Sequence, residues 1–207
     1  MDQAIRIICF SSEYCSRGRF IAMDFAKKSG FNYYDDQALC ALLEEGDVLL
    51  KDVHDLDKQL MKSVIDEDIS QKIRDIHERL KPAILKAATL GPCVIHERAA
   101  MEILKGQEGL FTVMIQANDF DRKLFYAHID PKRDSIQSKL DHIKDEDIPQ
   151  ITDYIHNQDH IRRHYHNTLV SMPWGGRTTY DLILNSDRLS VEQCGDLLKA
   201  VVELSGQ

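Results

Sequence analysis

The first thirty residues constrain the fold of this 207-residue chain more than any other segment. Residues 5–10 are mostly apolar and predict a buried β-strand. The turn S-S-E-Y-C-S-R-G-R-F follows at 11–20, and helical apolar spacing continues to Gly30, a natural C-terminal cap. A strand, a small-residue turn and a helix in this order present backbone N–H groups and the helix dipole to an anion. The turn lacks the pattern G-x-x-x-x-G-K-[ST], so an ordinary polar turn remains the alternative to a phosphate-binding loop.

Strands and helices alternate along the rest of the chain. Short apolar runs predict further strands at 31–34, 93–95, 110–115 and 180–185. This order predicts one α/β domain over 1–207, with a mostly parallel five-stranded sheet flanked by helices. Ligands of such sheets bind beyond the carboxyl ends of the strands. Polar residues follow the predicted strands at 11, 35, 96–98, 116–118 and 185–186.

Capping residues and prolines predict several helix boundaries. Asp36 is expected to cap the helix that follows the second strand. Pro82 is expected to kink or restart the next long helix, and residues 97–105 predict a further helix. The helical segments of 119–169 are expected to break at two prolines, Pro131 and Pro149.

The composition excludes several classes of partner. A net charge of −8 argues against non-specific nucleic-acid binding, which needs a basic surface. No apolar run reaches the roughly eighteen residues that a membrane span requires, and no signal peptide is visible. The five cysteines contain no C-x-x-C pair, which indicates reduced thiols and a cytoplasmic location. The acidic, apolar-striped segment 66–80 could pair with a copy of itself, so a homodimer is left open.

Five motifs occur in order along the chain: F-S-S-E-Y-C-S-R-G-R, M-D-F-A-K-K-S-G-F-N-Y-Y-D, P-C-V-I-H-E-R-A-A-M, D-F-D-R and Y-D-L-I-L-N-S. They resemble the cytidylate kinase-like branch of the P-loop nucleoside monophosphate kinases. Its corresponding motifs are I-S-R-E-[FY]-G-S-G-G-R, L-A-x-x-L-G-x-x-[FY]-Y-D, P-C-V-I-V-G-R-x-A-D, an acidic–arginine pair and Y-D-L-x-[IL]-N-[ST]. The resemblance covers nearly the whole chain. It implies a P-loop NTPase-like three-layer fold with a helical acceptor-binding insertion at 47–90 and a helical lid at 119–175.

The resemblance also implies a reaction and a set of site residues. The γ-phosphoryl group of ATP would move to CMP, dCMP or another small acceptor, with Mg²⁺ present. The residues expected to bind the nucleotide and its phosphates are Ser11, Glu13, Cys15, Ser16, Arg17, Gly18, Arg19, Asn185 and Ser186. Asp35 and Arg98 are expected to bind the acceptor. The expected catalytic cations are Arg19, Arg122, Arg162 and Arg163.

The chain departs from the family pattern at several site positions. Ser12 replaces an arginine, Glu97 and two loop positions replace glycines, and Met101 replaces an aspartate. The two loop residues, Cys15 and Arg17, carry Cβ atoms, so the loop is expected to be reshaped. Phe20 stands where a hydroxyl usually contacts Mg²⁺, which leaves water held by Asp35 as a substitute. These departures motivate two alternatives: a catalytically impaired nucleotide-binding or regulatory protein, and an interaction scaffold that binds no nucleotide.

Each predicted site residue also has a structural alternative. Arg98 could contact an anion or form an ion pair with Glu97. Asp35 could bind the acceptor or metal, and the alternative is a helix cap, which Asp36 alone would explain. The lid arginines could contact phosphate or form a solvated basic face, and Asn185 with Ser186 could form a turn. The histidine spacing at 156, 160 and 164 fits one helix face, for which a solvated surface is favoured over a metal site. Trp174 is expected to pack at a hinge of the lid.

Overall fold

The computed structural model describes residues 4–61, 66–119, 122 and 148–206, which fold around one parallel sheet. The elements in chain order are β1 (Ile7–Ser12), α1 (Gly18–Ser29), β2 (Asn32–Tyr34), α2 (Asp36–Cys40), α3 (Gly46–Leu60), α4 (Glu67–Thr89), β3 (Cys93–His96), α5 (Ala100–Ile103), β4 (Leu110–Gln116), α6 (Ile148–Leu169), β5 (Leu182–Asn185) and α7 (Val191–Ser205). The strand order is β2-β3-β1-β4-β5, and every pair is parallel. The predicted α/β fold with a five-stranded sheet is confirmed.

The central strand β1 is buried on both faces, because helices cover the sheet from both sides. Ile7 and Cys9 pack with apolar residues of α3 and α4. Ile8 and Phe10 point to the other face, where they pack with apolar residues of α1 and α7. Burying each large apolar side chain contributes about 1.5–3 kcal/mol, so these two clusters fix the strand that leads into the predicted loop.

Helix α4 is long and amphipathic, and its N-terminus is well capped. Asp66 accepts a hydrogen bond of 3.0 Å from the backbone N–H of Ile69. The apolar stripe of the segment 66–80 is buried in the core of its own chain, so the homodimer prediction gains no exposed surface here and stays untested. The helix continues through Pro82, so the predicted restart is wrong. Across the described ranges, no helix combines the length and apolarity needed to cross a bilayer.

Two predicted boundaries shift near the sheet edge. β1 extends through Ser11 and Ser12, because they pair in register with the distant strand β4. Asp35, and not Asp36, is the N-cap of α2, since its carboxylate accepts a 3.1 Å hydrogen bond from Ala38 N–H. Asp36 therefore lies in the first helical turn with its side chain available for another partner.

Two further predicted helix features concern α5 and the start of α6. The helix expected at 97–105 is reduced to α5, because residues 97–99 adopt left-handed backbone conformations. Helix α6 begins at Ile148 with Pro149 in its first turn, where a missing N–H breaks no helical hydrogen bond, and the segment expected before that break lies outside the described residues. Pro131 lies outside the described residues.

Candidate functional site

A cavity of about 610 Å³ opens at the carboxyl ends of β1, β2 and β3. This is the edge of the sheet where the sequence predicts ligand binding. The β1–α1 loop forms one side of the cavity, and residues of α3 and α6 face it. Predicted site residues among those lining it are Ser11, Glu13, Cys15, Arg17, Gly18, Arg19, Asp35, Arg98 and Arg162.

The β1–α1 loop keeps a backbone conformation that favours glycine. Cys15 has φ 64° and Arg17 has φ 66°, both in the left-handed region. A side chain in this region costs about 1–2 kcal/mol, which glycine avoids. The expectation that these two residues reshape the loop is therefore not met, because they adopt the left-handed backbone that glycine permits. Burial raises the pKa of the Cys15 thiol to about 12, so this side chain is a neutral wall of the cavity.

Hydrogen bonds from the far edge of the sheet hold the loop in place. The Ser16 hydroxyl donates to the Glu13 carbonyl at 2.7 Å, and the Ser186 hydroxyl donates to the Ser16 carbonyl at 2.8 Å. The Arg17 guanidinium donates to the Ser186 carbonyl. Asn185 is exposed and accepts a hydrogen bond from the backbone N–H of Asp187. Ser186 thus supports the loop, and a role for either residue in binding the donor base stays a prediction.

The N-terminus of α1 is open toward the cavity. Arg17 occupies the N-cap position, and its side chain makes no capping hydrogen bond in the described structure. The first N–H groups of a helix have no intrahelical partner, so they can receive an anion. Gly18 is required at this point, because a Cβ atom there would lie 2.2 Å from the Cβ atom of Ser12. An anion cradle at this turn stays a prediction.

Glu97 connects the end of β1 to helix α6. Its Oε1 atom accepts hydrogen bonds from the backbone N–H and the hydroxyl of Ser12, at 3.0 and 2.9 Å. Arg162 Nη1 lies 3.2 Å from the same oxygen and donates to the Ser12 carbonyl at 2.6 Å. The Arg162 guanidinium carbon also lies 5.5 Å from the ring centroid of Tyr14. Glu97 therefore pairs with Arg162 and not with Arg98, which was the structural alternative that the sequence suggested.

Arg98 is held between two carboxylates. It bonds Asp36 through Nε and Nη2 at 2.7 and 2.6 Å, and Asp57 through Nη1 and Nη2 at 2.9 and 2.7 Å. Tyr165 covers the guanidinium at 5.4 Å from its ring centroid. Burial alone would raise the pKa of Asp36, but the Arg98 charge and hydrogen bonds lower that pKa below its usual value. Asp36 is thus ionised at neutral pH and pairs with the charged arginine.

Strained backbone accompanies these contacts. Glu97, Arg98 and Ala99 have φ angles of 69°, 57° and 49° in succession. Non-glycine residues in this region cost about 1–3 kcal/mol each and persist where surrounding contacts enforce them, often at functional sites. The ion pairs of Glu97 and Arg98 supply such contacts.

The other predicted cations differ in their access to the cavity. Arg19 is exposed and pairs with Asp35 at 2.8 Å. Arg163 stacks over Trp174 at 5.4 Å, which gives that indole a packing role beside the cavity. Arg122 is buried, donates to the Tyr14 carbonyl at 2.8 Å and pairs with Asp159. Arg122 therefore supports the β1–α1 loop and is not among the residues that line the cavity.

Asp159 and Glu13 complete this support of the loop. Asp159 accepts a 2.7 Å hydrogen bond from Tyr14 N–H while it pairs with Arg122. Glu13 accepts a 2.9 Å hydrogen bond from the backbone N–H of Ala117, and burial raises the pKa of its carboxyl group. The sequence did not single out Asp159 as a loop contact, because Tyr14 lies 145 residues away along the chain.

The sequence also missed two residues that contact Arg98. Asp57 lies on α3, whose helical spacing is weak in the sequence, and Tyr165 lies on α6. Both approach Arg98 from elements distant in sequence, so no local motif could identify them. Within the part of the chain that the structure describes, no three His, Cys, Asp or Glu side chains are grouped for a metal ion. His156 instead contacts Asp119 at 2.9 Å.

The residues of the loop provide few ligand atoms for Mg²⁺. The Ser16 hydroxyl is already bonded to a backbone carbonyl, and Phe20 has no ligand atom. Asp35 is a carboxylate at this end of the cavity. Mg²⁺ often binds through one or two carboxylates together with substrate phosphates. These residues would fit an ion held mainly by the nucleotide, and Asp35 as its protein ligand stays a prediction.

Comparisons with known proteins agree with this architecture. The cytidylate kinase-like family matches residues 7–188. Among curated proteins, none matches the chain. An uncharacterized protein from Eubacterium ventriosum has a TM-score of 0.66 at 18% identity, covering 95% of this chain and 98% of that one. A shikimate kinase from Bacteroides thetaiotaomicron has a TM-score of 0.52 at 13% identity, covering 95% of this chain and 98% of that one.

A sugar kinase from a Janibacter species extends the structural likeness. Its TM-score is 0.50 at 13% identity, and the match covers 98% of this chain and 96% of that one. At these identities the solved structures establish the fold alone, whereas the family match spans most of the sequence. The chain belongs to the cytidylate kinase-like family and has a P-loop kinase-like fold.

Proposed function

We propose that this protein is a kinase-like phosphotransferase that moves the γ-phosphoryl group of ATP to a small acceptor. CMP and dCMP are the acceptors that the family resemblance implies. One observation carries the proposal: the open N-terminus of α1 lines the same cavity as Arg19 and Arg162. Amide donors and guanidinium groups around one cavity are the groups that phosphoryl transfer needs.

The reaction requires positioning more than covalent participation by the protein. An acceptor oxygen forms a bond to the γ-phosphorus while the bond from phosphorus to the β–γ bridging oxygen breaks. ADP leaves with that electron pair. In the proposed site, amide groups at Gly18 and Arg19 orient the phosphates, and Arg162 compensates charge on the transferring group. Mg²⁺ bound to the nucleotide supplies further charge neutralisation.

Arg122 and Asp159 have a positioning role in this proposal. They bind the backbone on both sides of Tyr14 and so fix the loop that contacts the phosphates. A cytoplasmic location is also proposed, since all five cysteines are free and buried.

A second candidate is a nucleotide-binding regulator without turnover. The ion pairs in the cavity favour it, because Arg19, Arg98 and Arg162 each contact a carboxylate. A phosphate must displace or share those carboxylates before it can use the cations. Such a protein would bind ATP but release ADP no faster than the uncatalysed reaction.

The deciding experiment measures ADP formation by the full chain with ATP, Mg²⁺ and a panel of nucleotides and small alcohols. Calorimetry with ATP, with and without Mg²⁺, measures binding separately. Arg162→Ala is expected to lower kcat/KM by about 10²–10³, as removal of one transition-state donor does. Arg177→Ala is the matched control, because Arg177 is exposed and lies outside the cavity.

Each outcome selects one hypothesis. Turnover that falls in R162A and not in R177A supports the phosphotransferase. ATP binding without turnover for any acceptor supports the regulator. A folded protein that neither binds nor consumes ATP excludes both proposals.

A further inference from the structure

The guanidinium of Arg98 has almost no hydrogen-bonding capacity left for a ligand. It donates four hydrogen bonds to Asp36 and Asp57. A guanidinium has only five N–H groups, and a phosphate clamp normally uses two parallel ones. Tyr165 covers the group as well. Arg98 is therefore poorly suited to bind an acceptor phosphate, and its effect is to fix two carboxylates.

Those carboxylates make this end of the cavity negative. The acceptor end of the cavity consists of the lining residues Asp36, His54, Asp57, Arg98 and Tyr165. Two carboxylates face one guanidinium among these residues. Asp36 stays ionised because Arg98 lowers its pKa. A phosphate dianion bound here would meet like charges in a partly desolvated space, where repulsion is stronger than in water.

We propose that the acceptor is a small polyhydroxyl compound, with or without an amino group, that carries no phosphate or carboxylate. This inference rests on the proposed phosphotransferase function, but it replaces CMP and dCMP as acceptors, because both carry a phosphate. Hydroxyl and ammonium groups are donors, and the oxygens of Asp36 and Asp57 retain lone pairs that can accept from them.

A second feature of the acceptor end points to a ligand with hydroxyl groups. The hydroxyl oxygen of Tyr165 is buried and has no hydrogen-bond partner among the described residues, although the side chain is only 5% exposed. Burial raises the pKa of Tyr165 to about 12, so the group remains a neutral donor and acceptor. Buried polar groups are normally satisfied, and a ligand hydroxyl would satisfy this one.

Phosphoryl transfer to a hydroxyl group releases ADP and the hydroxyl proton. The acceptor hydroxyl oxygen bonds to the γ-phosphorus, and the bond to the bridging oxygen of ADP breaks. The hydroxyl proton passes to the Asp57 carboxylate, which is 38% exposed and can release it to water. A phosphate acceptor would need no such proton acceptor.

Matched ligand pairs test the acceptor class without ATP. Cytidine and CMP, glucose and glucose 6-phosphate, and glucosamine and glucosamine 6-phosphate differ by one phosphate within each pair. Calorimetry with the full chain is expected to show at least about tenfold tighter binding of a phosphate-free member. Asp57→Asn should reduce that ratio by about tenfold, since it removes one repelling charge. Asp55→Asn is the control, because Asp55 lies on the same helix, is exposed and pairs with Lys58.

The outcomes separate this inference from the proposed function. Equal or tighter binding of the phosphorylated members, or no binding in any pair, overturns the acceptor class. Tighter binding of the phosphate-free members without ATP consumption supports the ligand class but contradicts the proposed kinase function. If D57N does not fold, wild-type discrimination is compared at about 0.05 and 0.5 M salt, where screening should weaken it. A ratio that does not change with salt also overturns the inference.

Discussion

Replacing Arg98 with methionine should destabilise the protein by about 3 kcal/mol. Methionine keeps much of the apolar stem but removes the guanidinium, so Asp36 and Asp57 lose their shared cation. Removing one partner of a buried ion pair costs about 3–5 kcal/mol. The Arg98 side chain is 10% exposed, whereas Asp36 and Asp57 are 24% and 38% exposed, so the lower end applies. In a chain of this size the loss corresponds to about 6–12 °C in Tm.

A double-mutant cycle identifies the cause of that loss. Asp36→Asn should destabilise the wild type. It should cost much less in R98M, because there it removes a carboxylate that has already lost its cation. A coupling energy of about 1.5 kcal/mol or more is expected for groups in direct contact. Urea unfolding followed by circular dichroism gives the free energies. The control R177M changes an exposed arginine and should stay within about 0.5 kcal/mol. A loss below about 1 kcal/mol for R98M, or additive effects in the cycle, would refute the reasoning.

The difference in stability between the wild type and R98M should depend on pH. Asp36 has a lowered pKa in the folded protein, so its ionisation stabilises the fold above the unfolded pKa of about 3.9. That stabilisation is lost as the pH falls through the folded pKa. The wild type should therefore lose more stability than R98M when the pH is lowered from about 5 to about 3. Equal losses would mean that Arg98 does not hold the Asp36 charge.

Two further predictions concern the loop and the cysteines. Gly18→Ala should destabilise the protein by about 1–3 kcal/mol in urea unfolding, because the new Cβ would lie 2.2 Å from the Cβ of Ser12. Gly30→Ala, which has open space but a φ of 69°, should cost only about 1 kcal/mol, and a reversed order would contradict the loop geometry. The thiols that do not line the cavity are buried, so a disulfide reagent at pH 8 should react with them at the rate of unfolding in water and immediately in urea: Cys9, Cys40, Cys93 and Cys194. Fast reaction of more than one thiol in the native protein would contradict this burial.

The sequence predicted the order of strands and helices because these depend on local periodicity. Six buried residues in β1 and the alternation of apolar residues between two faces are visible in a short window. The end of β1 was misplaced, because Ser11 and Ser12 look like turn residues. Their pairing with Met114 and Ile115 of β4 makes them strand, and no local pattern contains that information.

The site was harder to predict than the fold, for the same reason. The polar residues that follow β1, β2 and β3 line one cavity, whereas those at 116–118 and 185–186 are not among its lining residues. The partners of the lining residues were not predicted, since the Arg98–Asp57 contact joins positions 41 residues apart. The left-handed backbone at 97–99 was also hidden, because three non-glycine residues give no signal for positive φ. Helix propensity predicted a longer helix there, and tertiary contacts overrode it.

Two residues that depart from the family pattern are in direct contact, so they are best interpreted together. Ser12 replaces an arginine and Glu97 replaces a glycine, and each alone would suggest decay of the site. In the structure Glu97 accepts two hydrogen bonds from Ser12, and Arg162 closes the group from α6. The cation missing at position 12 is thus matched by one that approaches the same backbone carbonyl from another helix. A site that merely decayed would leave buried polar groups unpaired, whereas these are satisfied, so the altered loop is a specific structure and not a degraded one.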